Sequence, residues 1–327
     1  MKFNFSLRTL KRCCFVLLFF IPALSQAQYY KYFRPQNYLG GGIGLSYYQG
    51  DLNPYSLIQF NWPLTRPCAT VFFEHEFTRR LTLHTALSYG WIAGDDHFHN
   101  DTLPTNTDFP RYIRNLRFVS AVQDAQASIM INLSPGYSDF YFDRVKIIPY
   151  ASVGIGVFHF NPKAPYNPKQ AVNSLQNIPA GSTWYALQPL STEGQGLPQY
   201  PDRKPYSLIQ PCIPVAFGIR LDRDGNWQFG LEVSERLTFT DYLDDVSKNY
   251  VDPVYLAQFF SGNPQSSKLS QYFSVRSGTV RNGEFSYITQ PGLERGDPHQ
   301  VDHYFMWTIQ IIYKIGVLPY HMDHRFF

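Results

Sequence analysis

The sequence predicts an all-β fold: an eight-stranded antiparallel transmembrane β-barrel with short periplasmic turns and long extracellular loops. Three observations carry that reading. Eight segments alternate apolar and polar residues with a period of two. Aromatic residues make up 17% of the 327-residue chain and charged residues only 16%, whereas a soluble domain holds about 25% charge. Short connections also alternate with long ones, as in a barrel with turns at one membrane face and loops at the other. A secreted β-sandwich gives no reason for that last regularity.

The N-terminus reads as a secretory signal peptide, residues 1–27. Lys2, Arg8, Lys11 and Arg12 precede an apolar run from Cys13 to Leu24, and Ser25-Gln26-Ala27 supplies a small-residue cleavage site. The run is shorter than the ~20 residues a spanning helix needs. No cysteine follows the cut, so a lipid anchor is not expected there. Residues 28–327 then form the barrel, with extracellular insertions near 161–205 and 241–302. A net charge of +3 suggests neither nucleic acid nor another polyanion as a partner.

In each strand the odd-numbered positions are the apolar ones. The first strand, Tyr38 to Gln49, sets Leu39, Ile43, Leu45 and Tyr47 against Gly40, Gly42, Gly44 and Ser46. The second, Cys68 to Phe77, opposes Ala69, Val71 and Phe73 to Thr70, Glu74 and Glu76. The third, Leu81 to Trp91, opposes Leu83, Leu87 and Tyr89 to His84, Ser88 and Gly90. The fourth is the weakest, running from Asn115 to Leu133 with Gln123 out of phase.

The fifth strand, Ile147 to Phe160, sets Ala151, Val153, Ile155 and Val157 against Tyr150, Ser152, Gly154 and Gly156. The sixth, Tyr206 to Leu221, opposes Ile213, Val215, Phe217 and Ile219 to Gln210, Gly218 and Arg220. The seventh begins at Phe229 and alternates for about a dozen residues, with Glu232 and Arg236 on its polar side, before it breaks into Asp241, Asp244 and Asp245. The eighth, Asp302 to Gly316, alternates Phe305, Trp307, Ile309, Ile311 and Tyr313 with Tyr304, Thr308, Gln310 and Lys314.

A bilayer leaves no backbone group unpaired, so the sheet must close with its charges inward. Eight strands enclose a space that side chains fill. Glu74, Glu76, Asp124 and Glu232 are therefore expected to pair inside with Arg117, Arg220, Arg236 and Lys314, with Glu232 and Arg236 as partners on one strand. The reading is a plugged core rather than a pore. Cys68 and Cys212 fall on nonadjacent strands, farther apart than the ~7 Å a disulfide spans, so no bridge is expected.

Several stretches carry a family resemblance. Tyr47-Tyr-Gln-Gly-Asp-Leu52, Arg114-Asn-Leu-Arg-Phe118 and Pro149-Tyr-Ala-Ser-Val-Gly-Ile-Gly-Val-Phe-His-Phe-Asn-Pro162 resemble an outer-membrane β-barrel family of Bacteroidota. Leu187 to Gly196, containing Thr192-Glu193-Gly194-Gln195-Gly196, and Thr240-Asp241-Tyr242-Leu243-Asp244-Asp245-Val246-Ser247 belong to the same pattern. That family includes PorG-like proteins of the type IX secretion system. The resemblance implies an outer-membrane barrel in contact with the periplasmic ring proteins of that machine. This chain is longer than PorG-like members through its third and fourth external loops.

The acids that end the seventh strand admit two readings. Asp241, Asp244 and Asp245, with Glu193, supply oxygens of the kind calcium takes six to eight of, although the spacing is not an EF-hand loop. Alternatively Asp241 is an N-cap for a helical turn over the following residues, and the motif locks the fourth loop onto the rim. His97 and His99, and His321 and His324, are read as solvated loop residues rather than metal ligands. Catalysis is not expected. No His-x-Ser pair occurs, and His84 and Ser88 lie four residues apart on one strand face, too far for direct contact.

No cofactor is expected. The partners expected are outer-membrane lipid and the secretion ring, with the barrel monomeric. The proline-rich third loop and the aromatic fourth loop either pack on each other or bind a surface partner.

Overall fold

The computed structural model describes residues 35–53, 62–98, 109–134, 140–142, 145–167, 183–223, 225–277 and 287–315. The signal-peptide reading, His99, His321 and His324 lie outside these residues. Among the described residues no helix is long and apolar enough to cross a membrane, which says nothing about crossing by strands.

Eight long strands form an antiparallel meander: β1 Asn37–Gln49, β2 Arg66–Glu76, β3 Leu81–Asp95, β4 Arg117–Asn132, β5 Val145–Pro165, β6 Ile209–Asp222, β7 Trp227–Thr238 and β8 His303–Ile315. Each pairs with the next, and β1 pairs with β8 from Asn37 opposite Ile315 to Gln49 opposite His303. The sheet is thereby a closed barrel with no free edge. These are the eight strands the alternation predicts. The connections 77–80, 133–144 and 223–226 leave one end, and 50–65, 96–116, 166–208 and 239–302 leave the other.

Three strand ends differ most from the sequence reading, and β3 is one of them, running on past Trp91 to Asp95. β5 runs on to Pro165, and its extension pairs with the short strand Trp184–Ala186 on one side and with β4 on the other, from Val119 opposite Lys163. The sheet therefore rises beyond the membrane on this side, which the alternation alone did not show. β6 starts at Ile209 because Tyr206 leaves the sheet and turns its phenol to Asp245.

Burial follows the period of two, most cleanly in β7. There Trp227, Phe229, Leu231 and Val233 are exposed, while Gln228, Gly230, Glu232, Ser234, Arg236 and Thr238 are buried. Ile155 is 74% exposed, Ile43 72% and Ile309 63%, and they belong to a continuous apolar belt. Exposed aromatics frame it: Trp227 against Tyr313 at the short-turn end, with ring centres 4.8 Å apart, and Tyr89 against Trp91, also 4.8 Å apart, toward the long-loop end. A closed sheet with an apolar belt between aromatic girdles is the architecture of an outer-membrane barrel, and this chain is one. Its long-loop end is the extracellular end.

The lumen is filled in layers by side chains whose charges are held in ion pairs or by tyrosine hydroxyls, as a low-dielectric interior requires. Lys314 Nζ reaches Asp222 at 2.9 Å near the periplasmic end, where the Tyr38 hydroxyl donates to Glu76 at 2.9 Å. Above them Arg220 and His84 both contact Glu74, and the Tyr150 hydroxyl donates to Glu232 at 2.8 Å. Higher still, Arg236 Nε lies 3.4 Å from Asp124, which also accepts from the Tyr304 hydroxyl at 3.3 Å. Gly218 makes this packing possible: a Cβ there would stand 2.3 Å from the Tyr150 ring.

Three pairing expectations need correction. Arg236 pairs across the lumen with Asp124 of β4 rather than with Glu232 on its own strand, and Glu232 takes the Tyr150 hydroxyl instead. Residues four apart on a strand are separated by roughly 13 Å of rise at ~3.3 Å per residue, whereas closure brings β4 and β7 face to face. Arg117 points outward at the extracellular rim, 3.8 Å from Asp95 and over the Trp184 ring. Lys314 is held by Asp222 rather than by an acid deep in the lumen. Cys68 and Cys212 are both buried, free thiols.

Candidate functional site

Above the belt, the extracellular loops fold into a cap with its own core. Tyr48, Leu52, Phe118, Phe160, Tyr206 and Leu243 are among the buried residues that make it, and they extend the barrel interior upward. Tyr206 is stacked between Phe160 and Tyr242, with ring centres 6.0 and 4.7 Å away. Two helices of the fourth loop complete the cap, α1 Pro253–Phe259 and α2 Pro264–Ser274. Each begins with Pro at its first position behind a capping side chain, Asp252 onto the Val254 amide and Asn263 onto the Ser266 amide.

The third loop reaches the fourth through Thr192 to Gly196. Ser191, Gly194 and Gly196 have positive φ, and this tight path carries the Glu193 side chain inward. Its carboxylate accepts from the Ser247 and Lys248 amides, both at 3.0 Å, and pairs with Arg295 at 2.9 Å. Arg295 also donates to the Asp245 carbonyl at 2.7 Å and to the last carbonyls of α2, from Phe273 and Ser274. Cations suit a helix C-terminus. Burial alone would lower the Arg295 pKa, but the Glu193 and Asp245 charges outweigh it and raise it.

Of the acids after β7, Asp244 and Asp245 are taken by different donors, while both carboxyl oxygens of Asp241 are buried without one. Asp244 accepts from the Tyr48 hydroxyl at 2.6 Å and from the Val246 amide at 2.9 Å. Asp245, at φ +67°, accepts from Thr192 and from the Tyr206 hydroxyl at 2.8 Å. Burial pushes the Asp245 carboxyl up to about 7 against the pull of Arg295. Burial, with the Asp51 and Glu193 charges adding to it, pushes Asp241 up to about 8.

The calcium set that the sequence left open beside the capping reading is therefore not assembled. Asp244, Asp245 and Glu193 are turned to separate donors, and among the described residues no three His, Cys, Asp or Glu side chains are grouped to hold a metal ion. The expected cap at Asp241 is also absent. Residues 241–247 form successive bends rather than a helical turn, and the Tyr242 amide bonds Thr240.

The first and second loops join through Arg114, at the end of the short helix Phe109–Arg114. Its guanidinium grips Asp96 by two hydrogen bonds of 2.7 and 2.8 Å and donates to the Asp51 and Arg295 carbonyls. Asp51 in turn accepts from the Asp297 amide at 3.0 Å, and burial pushes its carboxyl up to about 6 against the Arg114 charge. All four extracellular loops are thus tied to one another through buried polar groups.

A cleft of about 570 Å³ opens on the side of this cap, lined by Asp51, Arg111, Arg114, Tyr250, Arg295 and Asp297 among others. It carries both signs of charge. Sequence reasoning singled out Glu193, Asp244 and Asp245 but missed Tyr48, Asp96, Asp302 and Arg295. Tyr48 and Asp302 read as strand residues, and Arg295 sits in a polar loop without any pattern to mark it. Arg114 and Tyr48 were visible only as members of the family-like motifs.

The sequence matches no protein-family model and no curated protein. Solved structures to which the chain is similar include three outer-membrane or surface proteins. Ail, the attachment invasion locus protein of Yersinia pestis in complex with the heparin analogue sucrose octasulfate, is 7% identical, with 86% of this chain and 99% of that one covered and a TM-score of 0.35. Neisserial surface protein A is 7% identical, covering 85% and 96%, with a TM-score of 0.35. A major outer membrane protein from Thermus thermophilus is 14% identical, covering 86% and 100%, with a TM-score of 0.31.

Proposed function

We propose that this outer-membrane barrel is a non-enzymatic docking scaffold, a monomer that serves as an accessory component of an envelope machine. The observation that carries the reading is the buried junction of Glu193 with Arg295 and the 245–248 backbone, which ties the third loop to the fourth. A lumen filled by Arg236, Tyr150, Tyr304 and Phe158 leaves binding to the outer surfaces. A cap fixed before contact spends little ordering entropy when a partner binds.

Type IX secretion is the machine we assign, on the resemblance of the Thr192–Gly196 and Thr240–Ser247 motifs, which are the very segments that interlock in the cap. Its periplasmic ring proteins would meet the short-turn end. A second reading, a surface-binding barrel, is favoured by the cleft between the first, second and fourth loops and by exposed Val254, Tyr255 and Phe259 on α1.

Crosslinking in native outer membranes, followed by affinity purification of the chain and mass spectrometry, separates the two. Recovery of the ring proteins supports the machine component. Their absence, with a known ring-bound barrel recovered in parallel, overturns it in favour of the surface-binding barrel.

A further inference from the structure

The Tyr48 hydroxyl lies between two buried carboxyl groups, 2.6 Å from Asp244 Oδ2 and 2.9 Å from Asp302 Oδ1. A phenol has one proton and donates to one of them. The other contact is a hydrogen bond only if that carboxyl carries a proton and donates it to the phenol oxygen. The remaining oxygens are already acceptors, Asp244 Oδ1 for the Val246 amide and Asp302 Oδ2 for the Leu243 amide, both at 2.9 Å. Gly50 lets the three groups approach, since a Cβ there would stand 1.9 Å from Asp302 Oδ1.

The charges around the triad favour holding that proton. Asp51 from the first loop adds negative charge beside Asp244 and Asp302, and Asp241 from the fourth adds more as pH passes its own raised value of about 8. Tyr206 and Glu193 of the third loop face the Asp245 side of the same turn. Three arginines share with Asp244 the lining of a small cavity, Arg117 of β4, Arg276 after α2 and Arg295. Arg295 is committed to Glu193, Arg117 lies by Asp95 and Arg276 lies over the Tyr272 ring, while Arg114 of the second loop is held by Asp96. Burial, followed by the mutual repulsion of the acids, raises both Asp244 and Asp302 well above the ordinary carboxyl range.

We propose that Asp244 and Asp302 hold one proton between them through Tyr48 at neutral pH, and that this proton latches the fourth loop shut on the ends of β1 and β8. When base removes it to water, two carboxylates are left facing one hydroxyl and the latch opens. A carboxyl raised in the closed state stabilises that state fully below its ordinary value and loses the effect as pH rises through its raised value. Between those limits the opening equilibrium grows about tenfold per pH unit, the slope for one proton.

The test is infrared difference spectroscopy of the full chain in lipid vesicles at neutral pH, wild type against the Asp244→Asn/Asp302→Asn double variant. The expected result is a carbonyl band of a protonated carboxylic acid present in the wild type and lost in the double variant. Amide exchange of residues 241–247 is read alongside it across pH. Exchange corrected for its intrinsic base catalysis should accelerate with pH in the wild type, whereas in Asp302→Asn, whose neutral amide donates to the phenol oxygen at any pH, the corrected rate should stay flat. Spectra without that difference band overturn the proposal, as does an Asp302→Asn loop that keeps the wild-type pH slope.

Discussion

Glu193 in the third extracellular loop and Arg295 in the fourth form an ion pair of 2.9 Å with side chains 0% and 2% exposed. They lie 102 residues apart. The pair is fully hydrogen-bonded, because Glu193 takes two backbone amides and Arg295 takes the 245 carbonyl and the end of α2. Removing one member leaves the other charged and buried. Arg295→Met should cost about 3–5 kcal/mol, seen as a lower urea midpoint in vesicles and faster proteolysis of the fourth loop, while the barrel strands keep their circular dichroism.

The lumen makes a parallel prediction. Arg220 is matched to Glu74, which also takes His84. Arg220→Met should destabilise the barrel by a similar ~3–5 kcal/mol, and adding Glu74→Gln should recover part of that loss. A double variant as weak as the sum of the singles would show that the two side chains are not coupled.

Facing is tested at Ile309 and Ser152. Ile309 stands in the lipid belt, so Ile309→Arg should cost about 2–4 kcal/mol near the membrane midplane. Ser152→Thr on the opposite face should change the unfolding midpoint little. Equal losses at both positions would contradict the assignment of faces.

Gly218 tests the packing of the plug. A methyl group there meets the Tyr150 ring, whose hydroxyl holds Glu232. Gly218→Ala should cost about 1–3 kcal/mol through displacement of that ring. Heat-modifiable gel migration at graded temperatures reads the loss directly.

Asp245 gives the cap a pH dependence. Its folded value is pushed up to about 7, first by burial, from an ordinary 3.8. Its stabilising effect is therefore complete below the ordinary value and is lost as pH rises through about 7. Asp245→Asn should remove about 1.4 kcal/mol per pH unit from the slope of cap stability across that window. An unchanged slope in chemical denaturation at stepped pH would refute the shift.

The strands were legible because a strand's two faces are written locally, residue by residue, and a closed sheet in lipid sorts them without ambiguity. The run from Phe229 to Thr238 can be assigned from the alternation of its own letters alone. The presence of buried charge was legible as well, since Glu74, Asp124, Arg220, Glu232 and Arg236 fall on the polar phase of their strands. Which acid meets which base was not. Asp124 and Arg236 lie 112 residues apart and become partners only through the curvature of the barrel.

The cap shows the same division. The sequence by itself determined that Glu193, Asp244 and Asp245 are polar loop residues in distinctive motifs. Only the tertiary structure decided that they serve as separate anchors rather than one metal site, and that Tyr48, Asp302, Arg114 and Arg295 complete them. Loops have no period to read, and their hydrogen bonds are set by where the barrel delivers their ends and by the need of each buried polar group for a partner.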